Sequence, residues 1–152
     1  LKVVERQALA DWIGHRVDSQ EWLPIDQARI NAFADATLDY QFIHVDLERA
    51  RHTPLGSTIA HGFLLLSLLS HFAQQCFVTP RGGSSCLNYG LNRVRFIHPV
   101  PAGTDVRAST TLLEVTDRGE GGTLMRWEVA MYARDRERPV MVAEWLCLWL
   151  YE

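Results

Sequence analysis

Within residues 39 to 62, DYQFIHVDLERARHTPLGSTIAHG, Asp39 and His44 stand five positions apart, and an Ala-His-Gly opens an apolar stretch. A carboxylate and an imidazole so spaced can handle one water molecule. The neutral imidazole accepts a proton near neutral pH, and the carboxylate holds the same water and takes part in proton delivery. Gly62 leaves its N–H free at the first turn of a helix, where amides lack intrahelical partners. Its missing side chain allows close approach. Developing negative charge is favoured at such a helix start. Together these groups are the minimum equipment for adding water to an activated double bond.

The flanking elements must position them. Asp26 is a good N-cap for a helix over Gln27 to Ala36, with Ile30, Phe33 and Ala34 at helical spacing. Thr37 to His44 leaves that helix as a loop, and Asp46 caps a turn over Leu47 to Arg51 before Pro54 and Gly56 break it. From Ile59 or Ala60 to about Phe77 the pattern predicts one helix, apolar nearly all round and therefore buried. Pro80 to Ser85 ends it. Residues 1 to 18 read as a helical lead-in, and Ser19 to Ile25 as an edge strand, since Pro24 cannot donate to a ladder. The second half alternates over Leu87 to Phe96, Asp105 to Val115, Thr123 to Ala133 and Val140 to Tyr151. Turn clusters at Pro101 to Gly103, Asp117 to Gly122 and Asp135 to Pro139 separate these strands. The last is apolar on both faces apart from Glu144, which asks for a central position or a partner subunit. Residues 1–152 thus read as a single α+β domain, an antiparallel sheet wrapped around a long central helix.

Composition narrows the function. The chain has 152 residues, 47% hydrophobic and 22% charged, with a net charge of −3. That is enough for a real core and gives no reason to expect nucleic acid. The three cysteines, Cys76, Cys86 and Cys147, fit neither a disulfide framework nor a CxxC site and read as reduced thiols. No signal-like start is present, and the longest apolar run, Phe63 to Leu69, is too short to span a bilayer. A cytoplasmic protein without membrane attachment is expected.

The sheet-around-helix pattern and the 39–62 segment resemble the MaoC-type, (R)-specific enoyl-CoA hydratase family of the hot-dog fold. Its signature runs roughly G-D-x-N-P-L-H-x-D, then [IV]-[AV]-H-G at the start of the central helix. Asp39 and His44 match the catalytic pair, Asp46 the acidic residue beyond it, and Ile59-Ala60-His61-Gly62 the helix entry. Ser70 falls where several members place a polar residue near the thioester. Val94 to Val106 also looks like the family, and DQARINAFADATLDYQFIHVDLERA resembles a subgroup similar to nodulation protein N. The departures are Leu38 for glycine, Gln41 for asparagine and Phe42 for proline. Gln41 keeps an amide that can hold the loop or touch the substrate, while Leu38 and Phe42 bear on the pocket mouth and acyl preference.

The resemblance implies hydration of a trans-2-enoyl-CoA to a 3-hydroxyacyl-CoA, or the reverse dehydration. The substrate is an acyl-CoA or acyl-carrier thioester, and no cofactor is needed beyond the coenzyme A it carries. Asp39 and His44 are the catalytic candidates, and Gly62, Ser70, Gln41 and His61 the oxyanion and substrate-binding ones. His61 is expected chiefly to pin the loop with its ring nitrogens. Ser70 either bonds near that loop or back-bonds to its own helix. Asp46 reads as an N-cap. No HxxxH or HExxH spacing supports a metal site. Arg51, Arg93, Arg95 and Arg107 are candidates for coenzyme A phosphates, or simply a solvated face. A homodimer is expected, because one such sheet leaves an edge and an apolar face. Two rival readings share the fold: an acyl-CoA thioesterase and a non-catalytic acyl-thioester binding module. Residues 62 to 78 carry no carboxylate, which disfavours the first, and the intact dyad spacing disfavours the second.

Overall fold

The alternating second half folds into long antiparallel strands, and the polar-capped first half into short helices set against them. A computed structural model describes residues 2–152. The chain opens with β1 (Lys2–Val4), a 3-10 turn (Arg6–Trp12), β2 (Arg16–Asp18) and β3 (Leu23–Ile25). Helices α1 (Gln27–Thr37), α2 (Phe42–Val45), α3 (Leu47–Arg51), α4 (Gly62–Ser67) and α5 (Leu69–Cys76) follow. Then come β4 (Val78–Pro80) and the long strands β5 (Gly83–Phe96), β6 (Thr104–Asp117), β7 (Thr123–Ala133) and β8 (Met141–Tyr151).

Six strands form one sheet in the order β2-β6-β7-β8-β5, with β3 also paired to β6. Their pairings are all antiparallel. β8 lies between β7 and β5, the interior position its two apolar faces demand. Met125, Trp127, Val129 and Met131 of β7 are buried with Leu65, Leu69, Phe72 and Cys76 of the helices in one core. Phe77 stacks on Trp127 at 3.9 Å. The sheet therefore wraps α4 and α5, the hot-dog arrangement. The turn into β7 requires glycine: Gly122 has φ +95°, and a Cβ there would sit 2.1 Å from the Trp149 carbonyl oxygen.

Several expected elements differ. The lead-in over residues 1 to 18 is not simply helical. β1 pairs in parallel with β4 (Lys2 opposite Val78), and Arg16–Asp18 joins the main sheet. These three-residue strands are too short for alternation to register. The loop expected over Thr37 to His44 contains α2 at its end. The single central helix begins at Gly62 and is interrupted at Leu68. Just before the break, the Ser67 hydroxyl donates to the Phe63 carbonyl at 2.7 Å, a back-bond that bends helices. Nor is this helix pair buried all round. Phe63 is 68% exposed, and Ser67, Ser70, His71 and Gln74 share its open side, because the sheet of one chain covers only the other. The helix pair ends at Cys76, close to the expected Phe77, but β4 follows at once, and β5 starts at Gly83, inside the segment expected to be a loop.

Candidate active site

Asp26 caps α1 by accepting from the Arg29 amide at 2.8 Å, as its sequence position predicts. α1 presents Ile30 and Ala34 to the core and ends in Leu38, which is left-handed (φ 60°) and 77% exposed. This is the position where the resembling family has glycine, the residue that adopts that conformation most easily. Asp39 follows, exposed, with one carboxylate oxygen accepting from the Gln41 amide at 3.3 Å. The chain then turns into α2, so His44 swings inward and is only 7% exposed. Asp46 caps α3 through the Arg49 amide at 2.9 Å, the structural role expected of it.

The His44 ring is held at a defined face. Its Nδ1 lies 2.8 Å from the Ile59 carbonyl oxygen. A carbonyl only accepts, so Nδ1 carries the proton and Nε2 presents its lone pair. Burial is the main influence on the imidazole and pushes its pKa below the ordinary histidine value. The Ile59 carbonyl opposes that shift, His61 adds to it, and Asp39 opposes it weakly. The result is a neutral ring at neutral pH. His61, 2% exposed, stacks on His44 with centroids 3.7 Å apart and planes 22° apart. Its Nε2 donates to the Asp39 carbonyl at 3.0 Å, pinning the loop that carries Asp39.

One Asp39 oxygen and one ring nitrogen each of His44 and His61 lie within 4.8 Å of one another. No direct hydrogen bond joins the Asp39 carboxylate to either ring among the described residues, and separations of up to 4.8 Å leave room for one shared water. A metal ion also fits that spacing. However, near-parallel stacked rings direct their in-plane lone pairs side by side rather than toward one point, which serves a tetrahedral ion poorly.

His44 and Gly62 line one cleft of about 280 Å³ with Ile59, Ala60, Leu65 and the Phe96–Val100 run. Gly62 is the first residue of α4, and its N–H has no backbone acceptor among the described residues. A Cβ there would meet the Phe96 ring at 3.1 Å. Gln41 is exposed at the N-cap of α2 and places its backbone, not its side chain, against the loop. Ser70 stands apart from the dyad. It is exposed, lines clefts farther along α5 with Asn88 and Trp145, and among the described residues forms neither of the hydrogen bonds expected of it. Phe42 lies under the Arg49 guanidinium, 3.9 Å from its ring centroid, rather than in the His44 cleft. None of Arg51, Arg93, Arg95 and Arg107 lines that cleft either.

Gln27 and Thr58 escaped the sequence reading. The Gln27 amide donates to the His44 carbonyl at 2.7 Å and accepts from the Thr58 hydroxyl at 2.5 Å. A glutamine in the first turn of an amphipathic helix carries no signal of such a role, since its partners lie 17 and 31 residues away.

A MaoC-like domain model matches residues 9–129. 3-Hydroxyacyl-thioester dehydratase Z of Mycobacterium tuberculosis is 44% identical over 136 residues, covering 90% of this chain and 89% of that one. Nodulation protein N of Rhizobium leguminosarum bv. viciae is 44% identical over 137 residues, covering 90% and 85%. Among solved structures, an R-hydratase from Pseudomonas aeruginosa superposes with a TM-score of 0.74 at 22% identity, covering 92% and 83%. The (R)-hydratase from A. caviae involved in PHA biosynthesis gives 0.73 at 21%, covering 90% and 95%. At these identities the superpositions speak for the fold.

Proposed function

The chain belongs to the MaoC-like dehydratase family, and from that premise we propose that it adds water, (R)-specifically, to trans-2-enoyl thioesters or runs the reverse dehydration. The observation that carries this reading is the His44 ring itself. Its Nδ1 proton is committed to Ile59, its Nε2 has no hydrogen-bond partner among the described residues, and an Asp39 oxygen lies within 4.8 Å of a ring nitrogen of His44. Gly62 lines the same cleft.

In the hydration direction, a water sits between the Asp39 carboxylate and His44 Nε2. His44 takes one proton as the water oxygen bonds to C3. The electron pair of the double bond moves toward the thioester, whose oxygen becomes enolate-like and accepts from the Gly62 N–H. One such donor is worth about 2.7–4 kcal/mol in the transition state. A proton returned to C2 completes the addition, with Asp39 and His44 sharing that delivery. The thioester end occupies the small cleft, and the acyl tail follows the clefts along α4 and α5 that Ser70 lines. The substrate's acyl carrier is coenzyme A or a carrier protein, and the chemistry asks for no separate cofactor or metal.

Assembly completes the proposal. β5 pairs only with β8, leaving its other edge open among the described residues. Leu87, Tyr89, Leu91 and Phe96 are exposed along it, with Phe63 on the helix side. Such a surface suits a second copy of this chain.

The test is hydration of crotonyl-CoA and longer trans-2-enoyl-CoAs by wild type, Asp39→Ala and His44→Ala, with oligomeric state read by light scattering. Each variant is expected to stay folded and dimeric and to lose about 10²–10⁴-fold in turnover. Near-wild-type turnover in either folded variant removes the dyad. Free-thiol release without loss of enoyl absorbance would mark a thioesterase instead.

A further inference from the structure

His44 sits in a four-residue helix, too short to hold itself in shape. What fixes it comes from two other segments. The Ile59 carbonyl holds its ring from one side. On the main-chain side, the Gln27 Nε2 donates to the His44 carbonyl at 2.7 Å and also to Asn31 Oδ1 at 2.8 Å. The same amide's Oε1 accepts from the hydroxyl of Thr58, which is 1% exposed and adjacent to Ile59. One side-chain amide thus spans both halves of the clamp, the segment that carries the imidazole and the segment whose carbonyl orients it.

We propose that Gln27, with Thr58 as its partner, is a positioning residue for His44, setting which ring nitrogen faces the substrate and at what angle. This rests on the hydratase reading above and goes beyond it, since Gln27 does not line the cleft. The chemistry of the amide is specific. As arranged, a donor faces the His44 carbonyl and an acceptor faces the Thr58 hydroxyl, and the carboxamide supplies both. Methionine matches the volume and supplies neither. Glutamate keeps the acceptor but sets a negative charge against a carbonyl oxygen. Freed of the amide, the two segments keep, among the described residues, the Ile59 N–H to Ile43 carbonyl bond at 2.9 Å and the single ring bond from His44 Nδ1 to the Ile59 carbonyl at 2.8 Å. The ring can then rock, and small misplacements of a reacting group cost up to about a hundredfold.

The experiment pairs kinetics with imidazole nitrogen NMR, using His44→Ala to assign the His44 signals. In the wild type, His44 is expected as the Nδ1–H form. Gln27→Met is expected to lower kcat about ten- to a hundredfold with KM within about twofold, and to move the His44 signals toward a mixture of the two tautomers. Gln27→Glu should lose at least as much. Thr58→Val should lose less, and Thr58→Ser should restore the wild-type values. Wild-type kcat in Gln27→Met, or a lowered kcat with unchanged His44 signals, overturns the proposal. If Gln27→Met does not fold, Thr58→Val decides on the same two readouts. The NMR readout stands independently of activity. If His44→Ala still hydrates, the hydratase reading fails, while the tautomer response of Gln27→Met continues to test the positioning role.

Discussion

Trp127 and His44 are almost equally buried, at 2% and 7% exposure, yet they are held in unlike ways. Trp127 lies on a strand paired on both sides, stacked on Phe77 inside the main core. Many weak apolar contacts over-determine its place. His44 is held by three hydrogen bonds and a stacked partner ring: its ring donates to the Ile59 carbonyl, its amide donates to the Gln41 carbonyl, and its own carbonyl accepts from Gln27. The sheet is therefore expected to tolerate the loss of a single polar contact better than the 38–62 segment does. A rigid frame carrying a sparsely tethered reactive loop is the division of labour expected where function resides in connections between elements.

Exchanging the two kinds of damage should separate them most sharply. Trp127→Ala is expected to cost about 3–5 kcal/mol of stability, with the surviving folded fraction turning over normally; thermal and urea unfolding beside active-site titration will measure this. His44→Ala should do the reverse, losing turnover with its melting temperature nearly unchanged. A melting temperature that falls as far in His44→Ala as in Trp127→Ala would erase the distinction.

The pH response is a subtler probe. Burial lowers the His44 pKa, and the proposed hydration needs the neutral ring. The acid limb of kcat/KM should therefore lie below the ordinary histidine value of about 6.5. The sign for stability follows from the same shift. Below about pH 6.5 the unfolded chain takes up a proton that the folded ring resists, so stability falls as pH drops through that window. His44→Ala should flatten that part of the stability profile, and an unchanged profile would mean His44 does not titrate as described.

The smallest effect concerns the hinge into the loop. Leu38 occupies a left-handed backbone position with its side chain in solvent. Leu38→Gly should relieve about 1 kcal/mol of strain, raising the melting temperature by about 2–4 °C. A lowered melting temperature would show that the leucine side chain contributes more than its backbone costs.

The contrast also governs what the sequence reveals. β7 was legible to the residue, Thr123–Ala133, because alternation and flanking turns follow directly from burial on one face. The caps at Asp26 and Asp46 were equally plain, since their partners lie three residues away. Asp39, His44 and Gly62 could be singled out from motif spacing, and His61 meets the loop it was expected to pin. Ser70 could not be placed: eight residues along a helix carries it roughly 12 Å from Gly62, and the break at Leu68 leaves its rotation undetermined by periodicity. Gln27 and Thr58 were invisible, because bonds across 17 to 31 residues leave no local pattern. Burial leaves a periodic trace, and polar tethers between distant segments leave none.

The turn between β5 and β6 has an unusual standing for a surface connection. The Val100 carbonyl accepts from the Ala60 amide at 2.8 Å, and the Ala102 amide donates to the Thr58 carbonyl at 2.9 Å. These bonds bracket the Ile59 peptide that grips the imidazole. Surface turns usually absorb insertions and sequence drift without harm. This one is stitched to the backbone behind the proposed base, so a residue added between Pro99 and Gly103 is expected to misalign His44 before it destabilises the protein.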